Sequence, residues 1–200
     1  QQRVAIARAL ASSDDVIVLD EPITNLDAKL REEMLVEIRM IQKAVGTTIL
    51  YITHDQEAAL QLCDIMAIMN ETGHLCQVGK DEEIILQPAN RFVFEFIGIS
   101  NFIPLVLKEG KVYFSIGEEV LYPEGSADIF RQHPKMELGI RPNNIVFDDR
   151  SPLKAKVKTI VFLGNEFDYF LTFGNKELRV QRNALDAIQH GKFQEGETVG

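Results

Sequence analysis

The sequence is short of cysteine, of basic charge and of long apolar runs. Its two cysteines, Cys63 and Cys76, have no metal-type spacing. They read as free thiols in a reducing compartment. Lys and Arg together number 21 against 30 Asp and Glu, a net charge of -9. That balance argues against phosphate-backbone binding as the main task, because nucleic-acid binders need clustered Lys and Arg. A single bound nucleotide needs only a local site and stays open. No apolar run approaches the ~18–20 residues of a membrane span, and no signal peptide is visible. Internal repeats, low-complexity stretches and sustained heptads are missing too. So is the phosphate loop Gly-x-x-x-x-Gly-Lys-Ser/Thr. Gly79-Lys80-Asp81, Gly110-Lys111-Val112 and Gly191-Lys192-Phe193 lack both its hydroxyl and its upstream glycine.

What is there is a chain of 200 residues with a 46% hydrophobic fraction, enough for one large domain or two small ones. Gln1 to Leu10 read as helix interior with no N-cap, and the last residues read as the start of a strand. Both ends therefore look cut. The first ~95 residues alternate strands and helices, the pattern of a parallel α/β sheet. Val16-Ile17-Val18-Leu19 is a continuous apolar run, as expected of a strand buried on both faces. Thr24 reads as a helix N-cap with Asp27 in the first turn. Leu26, Leu30, Met34, Ile38, Ile41 and Val45 then form one apolar helix face, and Gly46 suits its end. Residues 47–52 form the next strand, completing a βαβ unit. Thr53 with Gln56 gives a capping-box pattern for a helix through Leu62. Short strands at 65–69 and 75–78 and short helices at 82–86 and 91–97 follow. Acidic Asp81, Glu82 and Glu83 charge a helix start favourably.

Near Gly98 the rhythm changes. Strand-like runs recur at 102–107, 111–116, 137–140, 153–163, 167–173 and 177–180, punctuated by Gly, Pro and Asn. This suggests a small barrel or sandwich. Phe162, Phe167, Tyr169, Phe170 and Phe173 read as its filling, and Phe92 and Phe96 as core of the first part. The expected domains are 1–97 and 98–200.

Asp20 and Glu21 end the first buried strand, and ligands of open parallel sheets sit beyond such carboxyl ends. A carboxylate there can hold Mg²⁺ on nucleotide phosphates, and its neighbour can deprotonate an attacking water. An isolated Asp-Glu pair reads first as a solvated turn. His54, just past the second strand, lies on the same edge, where an imidazole can contact a γ-phosphate or relay a proton.

These residues carry a resemblance. Val16-Ile17-Val18-Leu19-Asp20-Glu21-Pro22 resembles a Walker B motif with its catalytic glutamate. Thr24-Asn25-Leu26-Asp27 resembles the D-loop, with Thr24 where serine is commoner. Thr53-His54-Asp55 resembles the switch-histidine motif. Gln1 to Leu10 is similar to the helix after the ABC signature sequence. In this order and spacing the four are specific to ABC ATPases. Asp27-Ala28-Lys29-Leu30-Arg31-Glu32-Glu33-Met34 looks like the subunits of sugar, iron, polyamine or phosphonate importers, which carry a C-terminal TOBE domain. Gly139-Ile140-Arg141-Pro142 resembles a motif of that domain.

The resemblance implies a partial P-loop NTPase domain with a parallel sheet, followed by a small all-β, OB-like TOBE domain. It implies ATP and Mg²⁺ as cofactors in a full-length protein, with Asp20 on the metal, Glu21 as general base and His54 sensing the γ-phosphate. Asp27 would reach across a homodimer to the partner's nucleotide. It further implies transmembrane permease subunits, a solute-binding protein and a peripheral place on the cytoplasmic face of the membrane. Without phosphate loop and signature, these 200 residues are expected neither to bind nor to hydrolyse ATP alone, and their cut sheet to be unstable or to pair with a second copy. Two other readings stand beside this one. In one, the β domain serves as a regulatory module for a ligand or partner protein; in the other, the chain comes from an ABC ATPase of DNA or translation.

Overall fold

The strand β1 (Val16–Asp20) pairs in parallel with β2 (Thr48–Ile52), Val16 lying opposite Thr48 and Asp20 opposite Ile52. The two strands therefore end on one edge. This computed structural model describes residues 4, 8–9, 15–23, 26–116, 126–133 and 135–200. The chain divides into two compact units, Gln1–Gly98 and Ile99–Gly200. Most of the run Gln1 to Leu10, with Thr24 and Asn25, lies outside the described residues.

In the first unit, helix α1 (Ala28–Val45) connects β1 to β2. Its N-cap is Asp27, whose Oδ1 accepts from the Leu30 N–H at 3.0 Å. The cap thus falls three residues beyond Thr24, because aspartate caps as well as threonine and stands directly before the first helical residue. Gly46 ends the helix with φ of 74°, a left-handed conformation that only glycine adopts cheaply. Helix α2 (Gln56–Leu62) is capped by Asp55, not by Thr53: Asp55 Oδ1 accepts from the Ala58 N–H at 3.1 Å. The other end of α2 is closed by Arg39, which donates to the carbonyls of Gln61 and Leu62 at 2.9 Å each.

The hairpin of β3 (Met66–Met69) and β4 (Leu75–Gly79) turns on Asn70, whose Oδ1 accepts from the N–H groups of Thr72 and His74. Helices α3 (Asp81–Leu86) and α4 (Arg91–Phe96) follow. Among its described residues the first unit holds two apolar clusters. Ile17, Leu19, Met34, Leu35, Ile38 and Ala58 form one, under β1 and α1. Met66, Ile68, Ile84 and Val93 form the other, with Phe96 against it. The buried seam of α1 is narrower than its sequence pattern, since Ile41 and Val45 are exposed. Phe92 is likewise more surface than core, stacked on Phe96 at 5.8 Å. One face of the β1–β2 pair is open: Val16, Val18, Leu50 and Ile52 are each 46–57% exposed.

The second unit is predominantly β. Strands β5 (Asn101–Lys108), β6 (Lys111–Phe114) and β7 (Met136–Ile140) form an antiparallel sheet in the order β6-β5-β7. Strands β8 (Ala155–Phe162), β9 (Glu166–Phe173), β10 (Lys176–Asn183) and β11 (Thr198–Val199) form a second, in the order β10-β9-β8-β11. Ile103, Leu105, Phe114, Val157, Tyr169 and Val180 belong to one shared core. The OB-like, all-β expectation holds for this framework, to which two short helices, α5 (Ser126–Gln132) and α6 (Ala184–His190), are added. Phe167, Tyr169 and Phe173 fill the core as expected, whereas Phe162 is 58% exposed. Alternation along the strands decides this: Phe170 falls out of phase with 167, 169, 171 and 173 and is only partly buried. Buried Asn101 joins the two sheets. Its Nδ2 donates to the Arg179 carbonyl at 2.8 Å and its Oδ1 accepts from the Arg179 N–H at 2.7 Å. Arg141, of the Gly-Ile-Arg-Pro run, donates to the Ile99 carbonyl at 3.3 Å and to the Ser100 hydroxyl. Among the described residues no helix is long and apolar enough to cross a membrane.

Candidate active site

The parallel register carries β1 and β2 to a common carboxyl edge, and the chemistry-bearing residues follow directly. The Glu21 N–H donates to the Ile52 carbonyl at 2.9 Å, extending the pairing one residue past β1. Glu21 then turns into the left-handed region with φ of 45°. A non-glycine residue pays for this with about 1–3 kcal/mol of strain, the kind of outlier found at functional sites. The turn aims its carboxylate back across the edge of β2. There Oε1 accepts from the His54 N–H at 2.9 Å and lies 2.6 Å from His54 Nδ1, while Oε2 accepts from the Thr53 hydroxyl at 3.2 Å.

Burial raises the Glu21 pKa. The hydrogen bonds and charge of His54, with the Thr53 hydroxyl, outweigh it and leave the carboxyl below its ordinary value. Glu21 is therefore ionised at neutral pH, able to accept a proton. Its side chain is a third exposed and that of His54 is mostly exposed, so solvent reaches both.

Of the residues singled out from sequence, Glu21 and His54 come together. Asp20 stands beside them, exposed at the end of β1. Asp27 begins α1, exposed, with one carboxylate oxygen engaged by its own helix. No group of three His, Cys, Asp or Glu side chains able to hold a metal occurs among the described residues. The carboxylates at the β1 edge are hard oxygen donors that suit Mg²⁺, an ion commonly held by one or two carboxylates plus phosphates and water.

Sequence reasoning missed a second layer. Arg31, in the first turn of α1, is ion-paired with Asp55 and lies 3.5 Å from Glu57. The Asp55 N–H donates to the Thr53 hydroxyl at 3.0 Å, and that hydroxyl donates in turn to Glu21. Tyr51, on β2, has a buried hydroxyl without a hydrogen-bond partner among the described residues. Burial and the negative charges of Asp55 and Glu21 push its pKa up to about 12, against the opposing pull of Arg31. The available signal was an Asp directly before each helix, at 27 and 55, which marks the caps and hence the loop geometry.

Residues 138–200 match the TOBE domain family. Along its whole length the chain is similar to a spermidine/putrescine import ATP-binding protein, PotA, of Pseudomonas fluorescens, at 35% identity over 206 residues and 55% of that relative. A phytoplasma PotA, of Aster yellows witches'-broom, is 42% identical over 167 residues, covering 82% of this chain and 39% of the relative. The Fe(3+) ions import ATP-binding protein FbpC of Escherichia coli is 33% identical over 196 residues, covering 92% of this chain and 52% of the relative. The chain thus spans about half the length of the curated relatives it matches. With a parallel strand pair bearing Asp20, Glu21 and His54 on one edge and a TOBE match after it, this chain is a relative of the ATP-binding subunits of ABC importers.

Proposed function

We propose that these 200 residues are the C-terminal part of an ATP-hydrolysing importer subunit, and that they supply its general base and phosphate sensor. The observation that carries this reading is the Glu21–His54 contact at the carboxyl edge of β1 and β2. Glu21, ionised and solvent-accessible, takes the proton of the water that attacks the γ-phosphate. His54 orients that carboxylate and offers its second ring nitrogen to the γ-phosphate or the water. Bound Mg²⁺ neutralises phosphate charge, and Asp20 is the residue that would help hold it. Asp27 reaches a second copy's nucleotide, so that ATP closes a homodimer and hydrolysis reopens it. The subunit docks peripherally, on the cytoplasmic face, against transmembrane permease subunits fed by a solute-binding protein. The transported solute is of the polyamine or iron class named for the relatives. The phosphate cradle lies in a preceding segment, and the open face of Val16, Val18, Leu50 and Ile52 supports this, because parallel sheets are covered on both faces.

Glu21→Gln tests the base assignment in a version extended at its N-terminus with the corresponding segment of a relative. The variant keeps ATP binding and loses turnover by roughly 100-fold or more. Normal turnover refutes the assignment.

A second reading has its own observation. The TOBE-containing unit carries a half-open pocket of about 180 Å³, lined by apolar side chains such as Ile103, Phe114, Leu138, Leu153 and Leu171, with Lys154 beside them. A cavity of about 150 Å³ accepts a benzene-sized molecule. A small apolar regulator bound here would raise the melting temperature of the chain without ATP.

A further inference from the structure

Thr53, His54 and Asp55 form a three-residue connection between β2 and α2, and Glu21 leans on two of them. A loop this short holds its place only if something anchors it. Three contacts do so. Asp55 Oδ1 caps α2 through the Ala58 N–H at 3.1 Å. The Asp55 N–H donates to the Thr53 hydroxyl at 3.0 Å. The remaining carboxylate oxygen, Oδ2, is ion-paired with Arg31. The first joins the loop to the helix it opens, and the second stays within the loop. The Arg31 contact alone among these three reaches α1, in the first turn after its N-cap Asp27.

We propose that Arg31 is a positioning residue for the hydrolytic site: through Asp55 it sets the Thr53–His54 segment on the Glu21 carboxylate. The proposal deepens the ATPase reading and rests on it. The route is physically continuous, from guanidinium to Asp55 carboxylate, from the Asp55 N–H to the Thr53 hydroxyl, and from that hydroxyl to Glu21 Oε2. The Arg31 and Asp55 side chains are 31% and 20% exposed, so the pair is screened less than a surface ion pair. Tyr51 adds a reason for the arginine. Its buried hydroxyl has no partner among the described residues and feels the charges of Asp55 and Glu21, which the Arg31 guanidinium opposes. Arg31 also ties the first turn after Asp27 to the segment that bears His54, so a displacement at the start of α1 is passed to the base.

The test is amide hydrogen exchange on the 200-residue chain and on Arg31→Met and Arg31→Lys. The His54 N–H is held by Glu21, so it reports the contact directly. Arg31→Met speeds its exchange by about fivefold, the β2 amides keep their rates, and Arg31→Lys restores most of the protection. In the N-terminally extended protein, Arg31→Met lowers kcat by a similar factor at unchanged KM for ATP. An unchanged His54 rate, a uniform acceleration of all amides, or an unchanged kcat would overturn the proposal. If Glu21→Gln in that same protein retains turnover, the ATPase reading fails on its own evidence, whatever the exchange rates show.

Discussion

Glu21 is where backbone and side chain pull against each other. A left-handed glutamate is strained, and the strain is held by one backbone hydrogen bond to Ile52 and three side-chain contacts to Thr53 and His54. The arrangement is of use only if that carboxylate must face one point at the sheet edge. In the second unit a different residue does comparable work for stability. Asn101 is 6% exposed, and its amide pairs with both the N–H and the carbonyl of Arg179 on β10, an edge strand of its sheet. It acts as one more strand partner at that edge. Asn101→Leu leaves two part-buried backbone groups of Arg179 unpaired, and we expect it to destabilise the unit by about 1–3 kcal/mol. Urea unfolding measures this. A change within error of zero shows that the edge finds other partners.

Among elements, the βαβ unit was the most legible part. Its apolar run, its β-branched strand and Gly46 each constrain one local conformation. The cap residues were less so. Thr24 and Thr53 compete with Asp27 and Asp55 as cap formers, and the structure gives both caps to the aspartates, the stronger cap formers and the nearer to the helices. Helices α5 and α6 escaped notice because each is one short amphipathic stretch between strands, too brief for a period of 3.6 to register. The open face of β1 is the clearest exception to sequence expectation: the run Val16 to Leu19, read as buried on both faces, is covered on one. That exposed apolar surface binds a hydrophobic-surface dye in the 200-residue chain. Val18→Thr with Leu50→Thr lowers the dye signal and reduces self-association in light scattering. Unaltered signals would mean that the face is covered by other residues of the chain.

For the whole molecule, the division of labour follows from what the sequence holds and lacks. It holds the carboxylate, the imidazole and the residues that fix them, all legible as motifs because three short segments carry them in order. The layer behind them, Arg31, Asp55 and Tyr51, was not legible as a network, because the Arg31–Asp55 pair joins residues 24 positions apart through the fold. What it lacks is the glycine-rich cradle whose backbone N–H groups and lysine supply most phosphate binding. The account therefore stands or falls on a titration of Mg-ATP into this chain, beside the version extended at its N-terminus with a relative's phosphate-loop segment. The prediction is saturable binding by the extended protein and none by the 200 residues alone. Saturable binding by the 200 residues unaided would contradict it, since the phosphates would then be held by groups other than those assigned.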